Sequence, residues 1–297
     1  MPNPFDLADD TAYRAWRDAK LAAYPRRVEE LIVPVADPRA LTADETRALA
    51  DAVARANMAF YSAPHLPAAD KTLPHRLGAQ VGLLRLEGNY LADEDGLSSI
   101  TPNEDESHVR GDYIPYTHKP INWHTDGYYN ALDRRILGMS LHCAQDAASG
   151  GENALLDHEI AYIQLRDTNP DFVAALMQPD AMTIPPRMGE DQISRPEQSG
   201  PVFSVDPVEG FLHMRYTART RSIAWRDDAL TQAAVKTLAE ILADSEYILS
   251  ARMTPGMGLI CNNILHTRSA FEDAPGRRRL LYRGRYYDRL RFDRPRV

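Results

Sequence analysis

From about residue 136 the chain breaks into short runs rich in β-branched, aromatic and apolar residues: ILGMSLHC, PVFSVD, FLHMRYT, YILSARM, GLICNNIL and RLLYRGRYY. Gly, Pro and Asp punctuate them, which is the spacing of strands in a β-sandwich or barrel. Two helical stretches interrupt, at about 158–176 and 228–246. In the second, Leu230, Ala234, Leu238, Ile241 and Leu242 form one apolar stripe behind an expected Asp227 cap. The N-terminal portion, about 1–60, reads as helical. Leu7, Tyr13, Trp16, Leu21 and Tyr24 recur among charges up to Pro25, and Thr42 to Glu45 has capping-box spacing, with Leu49, Val53 and Met58 following at near-helical intervals. Helices flanking a set of strands predict an α+β layered fold. The 297 residues are expected to form one domain, 1–297, large enough to bury its own core.

Composition narrows the function. Lys plus Arg number 34 against 42 Asp plus Glu, a formal charge of −8, which argues against a general nucleic-acid or anionic-membrane binder. Two cysteines, Cys143 and Cys261, exclude a disulfide scaffold and a Cys-rich zinc module, and both sit in apolar runs as buried thiols would. The acidic start has no apolar signal segment, and no run approaches the ~18 apolar residues of a membrane span. The expected setting is cytoplasmic. Gly150-Gly151 is followed by an acid and lacks the P-loop lysine. Residues 90–119, rich in Asp, Glu, Ser, Pro and His, predict a long loop positioned to act as a lid.

The segment most informative about chemistry is INWHTDGYYN, residues 121–130. His124 and Asp126 are two apart, so on a strand they share a face and offer two legs of a metal site. His266, after the apolar run GLICNNIL, is the best third leg. Two histidines and one carboxylate leave open positions, as in the facial triad of non-haem Fe(II) oxygenases. His158 and Glu159 lack the second histidine of a zincin motif and read as a helix start. His65, His75, His108, His118, His142 and His213 have no comparable spacing and are expected at the surface or satisfied in the core.

Beyond His266 the chain alternates as a strand. Parity puts Arg279, Leu281, Arg283 and Arg285 on one face, and Arg278, Leu280, Tyr282 and Tyr286 on the other. Arginines turned inward are costly unless an anion meets them, and a guanidinium fork suits a carboxylate. A solvated edge strand is the other reading of the same alternation.

WHTD, then GGENALL, then His266 followed by RRLLYR, resembles the taurine dioxygenase (TauD/TfdA-like) family of Fe(II)- and 2-oxoglutarate-dependent oxygenases, over about residues 115–290. The resemblance implies a double-stranded β-helix, a cupin-like jelly roll with helices outside. It implies iron ligation by His124, Asp126 and His266, and a grip on the distal carboxylate of 2-oxoglutarate by Arg279. Asn153 falls where the family usually has threonine beside that carboxylate. Arg283 matches an arginine that holds the substrate anion in sulfonate-oxidising members. Arg215 and Tyr216, on a run matching a pocket-lining strand, and Tyr128 are implied substrate-side residues.

The implied reaction is O2-dependent oxidation, chiefly hydroxylation, of a substrate C–H bond, with release of succinate and CO2. A zinc hydrolase would use the same three ligands but gives Arg279 no task, and a non-catalytic small-molecule binder could share the fold. Halogenation is disfavoured because Asp126 fills the position a halide would take. The arginines suggest an anionic small-molecule substrate, whereas Trp123, Tyr128 and Tyr129 could also frame an amine or an aromatic. A homo-oligomer is compatible with the sequence.

Overall fold

Local signals start the first helices where expected. Asp9 accepts from the Ala12 N–H and caps α1, Asp10–Ala23. The Thr42 hydroxyl accepts from the Glu45 N–H at 3.2 Å, and the Glu45 carboxylate accepts from the Thr42 N–H at 2.7 Å. That capping box opens α2, Ala43–Ala56. The helix stops at Asn57 in the left-handed conformation, so Met58, expected on its stripe, instead begins a strand. A third helix, α3, spans Thr72–Gln80. The computed structural model describes residues 3–88, 93–103, 113–188, 193–219, 221 and 223–292.

The chain divides into two compact units. One comprises Met1–Tyr24, Trp123–Arg135 and Leu156–Ile248, the other Pro25–Asn122, Ile136–Leu155 and Leu249–Val297. The second unit holds most of the sheet structure. The main strands of the chain are β1 (Ile32–Pro34), β2 (Met58–Ser62), β3 (Ser98–Ile100), β4 (Ile121–His124), β5 (Gly138–Gln145), β6 (Asn153–Leu156), β7 (Leu249–Ala251), β8 (Met257–Cys261), β9 (Leu265–Arg268) and β10 (Leu280–Tyr286). They form a six-stranded sheet in the order β1-β2-β8-β5-β10-β3 and a four-stranded sheet in the order β7-β6-β9-β4. In the larger sheet only β1 and β2 pair in parallel. Met58, Phe60, Leu259, Ile260 and Cys261 are buried there, and α2 packs on β2. Gly258 lets β8 pass the Tyr61 ring, because a Cβ there would lie 2.3 Å from it.

The first unit is helical with small sheets. Asp157 caps α4, His158–Thr168, and Asn169 caps α5, Pro170–Leu176. The single helix expected at 158–176 is therefore two, because Asn169 is extended ahead of Pro170. Helix α6, Ala229–Asp244, is capped by Asp228 rather than Asp227, and Leu230 is exposed off its stripe. The aromatic core joins Phe5 to Trp16 at 5.0 Å, Phe5 to Tyr162 at 5.5 Å, and Tyr162 to Phe203 at 5.6 Å between ring centroids. Lys20 of α1 is buried and lies 2.7 Å from Asp157 and 2.6 Å from Glu159, which fixes α1 against the start of α4.

The 90–119 segment is not loop throughout. Its Ser98–Ile100 stretch is β3, paired with Leu281–Arg283 of β10, and Ile114–Tyr116 forms a 3-10 turn. Residues 90–92 and 104–112 of the expected lid, His108 among them, lie outside the described residues. Both cysteines are buried free thiols. No helix among the described residues is long and apolar enough to cross a membrane.

Candidate metal centre and anion sites

Strand β4 ends at His124, so Asp126 is not on the strand but in the turn after it. The pair still converges, with His124 Nε2 3.7 Å from Asp126 Oδ1. Backbone clamping makes this possible. Thr125 N–H donates to the Tyr216 carbonyl at 3.0 Å, Tyr216 N–H donates to Thr125 Oγ1 at 3.1 Å, and His124 bridges Thr217. Tyr216 thus acts on this segment through its main chain. Its buried phenol has its pKa pushed up by desolvation to about 12.

GLICNNIL is not one strand. β8 ends at Cys261, Asn263 turns the chain in a left-handed conformation, and His266 lies on β9. Asn262 and Asn263 anchor that turn through side-chain donation to Asn57 Oδ1 and the Ile136 carbonyl. His266 Nδ1 is 3.0 Å from the Ile264 carbonyl. A carbonyl can only accept, so Nδ1 carries the proton and Nε2 the lone pair. His124, Asp126 and His266 each offer one ligand atom, all within 4.8 Å of one another. Asp126 and His266 are buried and His124 is half-buried. Two imidazole nitrogens and a carboxylate oxygen so close together form a donor set suited to a divalent transition metal.

Strand β10 begins only at Leu280, and its register shifts between Leu280 and Leu281, so the parity that grouped Arg279 with Arg283 and Arg285 does not run unbroken through the segment. Arg279 is buried whereas Arg278 is exposed and donates to the Pro102 carbonyl. The Arg279 guanidinium stands 4.9 Å from the Phe271 ring centroid and lines a small enclosed cavity with Cys143, Gly151 and Leu281. Among the described residues no carboxylate bonds it. Asp273 is spent on its backbone N–H. Burial pulls its pKa down to about 10, against the weaker pull of Cys143 and Asp273. Gly151 makes room for it: φ is +79°, and a Cβ there would come 3.4 Å from Arg279 Nε. Asn153 donates Nδ2 to the Thr267 carbonyl at 2.6 Å, and its buried Oδ1 has no hydrogen-bond partner among the described residues.

Arg283 is half-buried, in register with Leu141 on one side and Ser98 on the other. Arg285 is buried and pairs with Glu87 at 2.5 Å. Arg215 is buried, and its guanidinium donates to the carbonyls of Tyr128, Met182, Gly200 and Gln198. Those bonds commit it to holding the backbone around Tyr128. Tyr128 is buried beside Tyr129, with ring centroids 5.1 Å apart. His142 is satisfied in the core, stacked between Tyr61 and Tyr282 and bonded to Tyr61 and the Ala68 carbonyl.

Arg268, also buried, escaped the sequence reading. Arg268 donates to the carbonyls of Pro115, Ile114, Thr117 and Lys119, and burial, with Arg279 adding, lowers its pKa to about 9. It is two residues past His266 on β9, so strand parity applied there would have found it.

The model of the taurine catabolism dioxygenase TauD, TfdA family matches residues 19–285, and the chain belongs to that family. A uridine-5'-phosphate dioxygenase from Amycolatopsis sp is 33% identical over 174 residues, covering 55% of this chain and 60% of that protein. The chain therefore aligns with somewhat under two thirds of that relative's length. Among solved structures, a taurine dioxygenase from Burkholderia xenovorans superposes with a TM-score of 0.53 at 18% identity, covering 84% of each chain. An asparagine oxygenase, solved with Fe(II), 2S,3S-3-hydroxyasparagine and succinate, superposes with a TM-score of 0.54 at 15% identity, covering 96% of this chain and 85% of the other. At those identities the structures show a shared mixed α/β fold.

Proposed function

We propose that this protein is an Fe(II)- and 2-oxoglutarate-dependent dioxygenase that oxidises a C–H bond of a small-molecule substrate and releases succinate and CO2. The observation that carries it is the convergence of His124, Asp126 and His266 within 4.8 Å. Bound there, iron(II) would supply O2 activation coupled to oxidative decarboxylation of 2-oxoglutarate. The three side chains hold the metal, and the Ile264 carbonyl orients the His266 ring.

Arg279 grips the far carboxylate of 2-oxoglutarate. A buried guanidinium with no carboxylate partner among the described residues fits that task, and a zinc hydrolase would give it none. Asn153 contributes its second N–H, since the first is committed to Thr267. Arg283 faces the substrate, while Tyr128 forms part of the substrate wall. Arg215 and Tyr216 support that wall from behind, through the Tyr128 carbonyl and the Thr125 backbone. The six- and four-stranded sheets correspond in this reading to the two sheets of a double-stranded β-helix, and 1–297 acts as one catalytic domain. Two buried free thiols suit a cytoplasmic setting.

Iron content after anaerobic reconstitution and 2-oxoglutarate-dependent succinate release test the reading. His124→Ala, Asp126→Ala and His266→Ala are each expected to lose iron and turnover while keeping the wild-type circular dichroism spectrum. Full iron stoichiometry in any one of them would remove that residue from the site.

A further inference from the structure

The first unit carries a second set of arginines that neither the metal triad nor the proposed 2-oxoglutarate grip uses. Arg187 and Arg195 are Cα partners across the antiparallel pair Arg187–Met188 and Ile193–Arg195. Like charges directly opposite one another on antiparallel strands repel. The Arg195 guanidinium lies 5.5 Å from the Tyr129 ring centroid, and that of Arg219 lies 6.0 Å from the Tyr128 centroid. Among the described residues, burial weighs most on Arg195, followed by Tyr128, Tyr129, Arg187 and Arg219. Arg215, spent on carbonyls, adds its charge to the same field. Arg195 Nη2 donates to the Pro185 carbonyl at 2.8 Å, but its buried Nε has no hydrogen-bond partner among the described residues.

This concentration of positive charge borders the metal segment in sequence and in bonding. Tyr128 is two residues past Asp126, Thr217 bridges His124, and Arg219 is two residues past Thr217. We propose that Arg195 and Arg219, oriented by Tyr129 and Tyr128 and backed by Arg187, form a seat for the phosphate of a phosphate-monoester substrate. A carboxylate would satisfy one guanidinium fork. A phosphate dianion offers three terminal oxygens and two charges, which suits several arginines at once. Cation–π contact with the two tyrosines holds the guanidiniums before the anion arrives. The uridine-5'-phosphate dioxygenase relative carries such a group in its named substrate. The assignment of the seat to a substrate rests on the dioxygenase reading, while the seat itself rests on the arginines alone.

The test is calorimetric titration of the full chain, with and without Fe(II) and 2-oxoglutarate under anaerobic conditions. The probes are uridine 5'-phosphate, ribose 5-phosphate and phenyl phosphate, each against its dephosphorylated counterpart. The monoesters are expected to bind about ten-fold or more tighter than those counterparts, and progressively weaker with added salt. Arg195→Gln and Arg219→Gln are each expected to erase about ten-fold of that preference and to leave Fe(II) and 2-oxoglutarate affinity unchanged. No preference for the phosphate in wild type, or a preference that survives both substitutions, overturns the seat. Arginine-dependent phosphate binding without Fe(II) or 2-oxoglutarate binding would instead sustain the seat and sink the dioxygenase reading.

Discussion

Replacing Arg279 with methionine should make the ligand-free protein more stable while abolishing its response to 2-oxoglutarate. Arg279 is 4% exposed, and no carboxylate among the described residues bonds its guanidinium. Burial is the largest influence on it and lowers its pKa from 12.5 to about 10. That depression corresponds to roughly 3 kcal/mol disfavouring the cation in the ligand-free fold. The sign follows: a cation whose folded pKa is lowered destabilises the fold at every pH below about 10, and the penalty is relieved only above it. Methionine fills most of the arginine stem without the charge, so the ligand-free variant should gain up to roughly 3 kcal/mol at pH 7. For 2-oxoglutarate the balance reverses, because truncating one partner of a buried charged pair costs about 2–5 kcal/mol, or roughly 30-fold or more in affinity. At 2-oxoglutarate 100 times the wild-type Kd, wild type should gain ~2.7 kcal/mol and the variant about 0.9 kcal/mol or less. Urea unfolding under anaerobic conditions, with Fe(II) and with or without 2-oxoglutarate, reads both quantities. A ligand-free variant that is less stable than wild type, with an undiminished 2-oxoglutarate response, would show that Arg279 is a structural residue.

Two further outcomes are expected. Arg278→Ala should leave 2-oxoglutarate affinity within about two-fold of wild type, since Arg278 is exposed, and equal losses at 278 and 279 in the same titration would mean the register is wrong. Lys20→Met should cost about 3–5 kcal/mol in urea unfolding at neutral pH by stranding Asp157 and Glu159. In wild type, burial pushes the Asp157 carboxyl up but Lys20 and then His158 outweigh it, so its pKa lies below 3.8 and the pair's contribution is lost only as pH falls through that lower value. Without Lys20, burial prevails and Asp157 protonates more readily, so the deficit should shrink as pH falls toward 4; a deficit independent of pH would refute this account.

The sequence by itself determined the local features and the chemical inventory. The Thr42–Glu45 capping box and the helix start at His158 depend on neighbours in the chain, so spacing was enough to read them. Tertiary structure decided what spacing cannot carry. Asp126 meets His124 from a turn rather than a pleat, because Tyr216, 91 residues on from Thr125, clamps it from both sides. GLICNNIL folds back at Asn263 because Asn57 and Ile136, far away in sequence, accept its amide bonds. Met58 leaves the α2 stripe for the larger sheet, where ladder pairing with Cys261 overrides helical periodicity. Arg215 carries the same charge as Arg279, yet four backbone carbonyls fix it as a support. Which buried arginine meets backbone carbonyls and which does not is set by residues distant in sequence, and no local pattern encodes that choice.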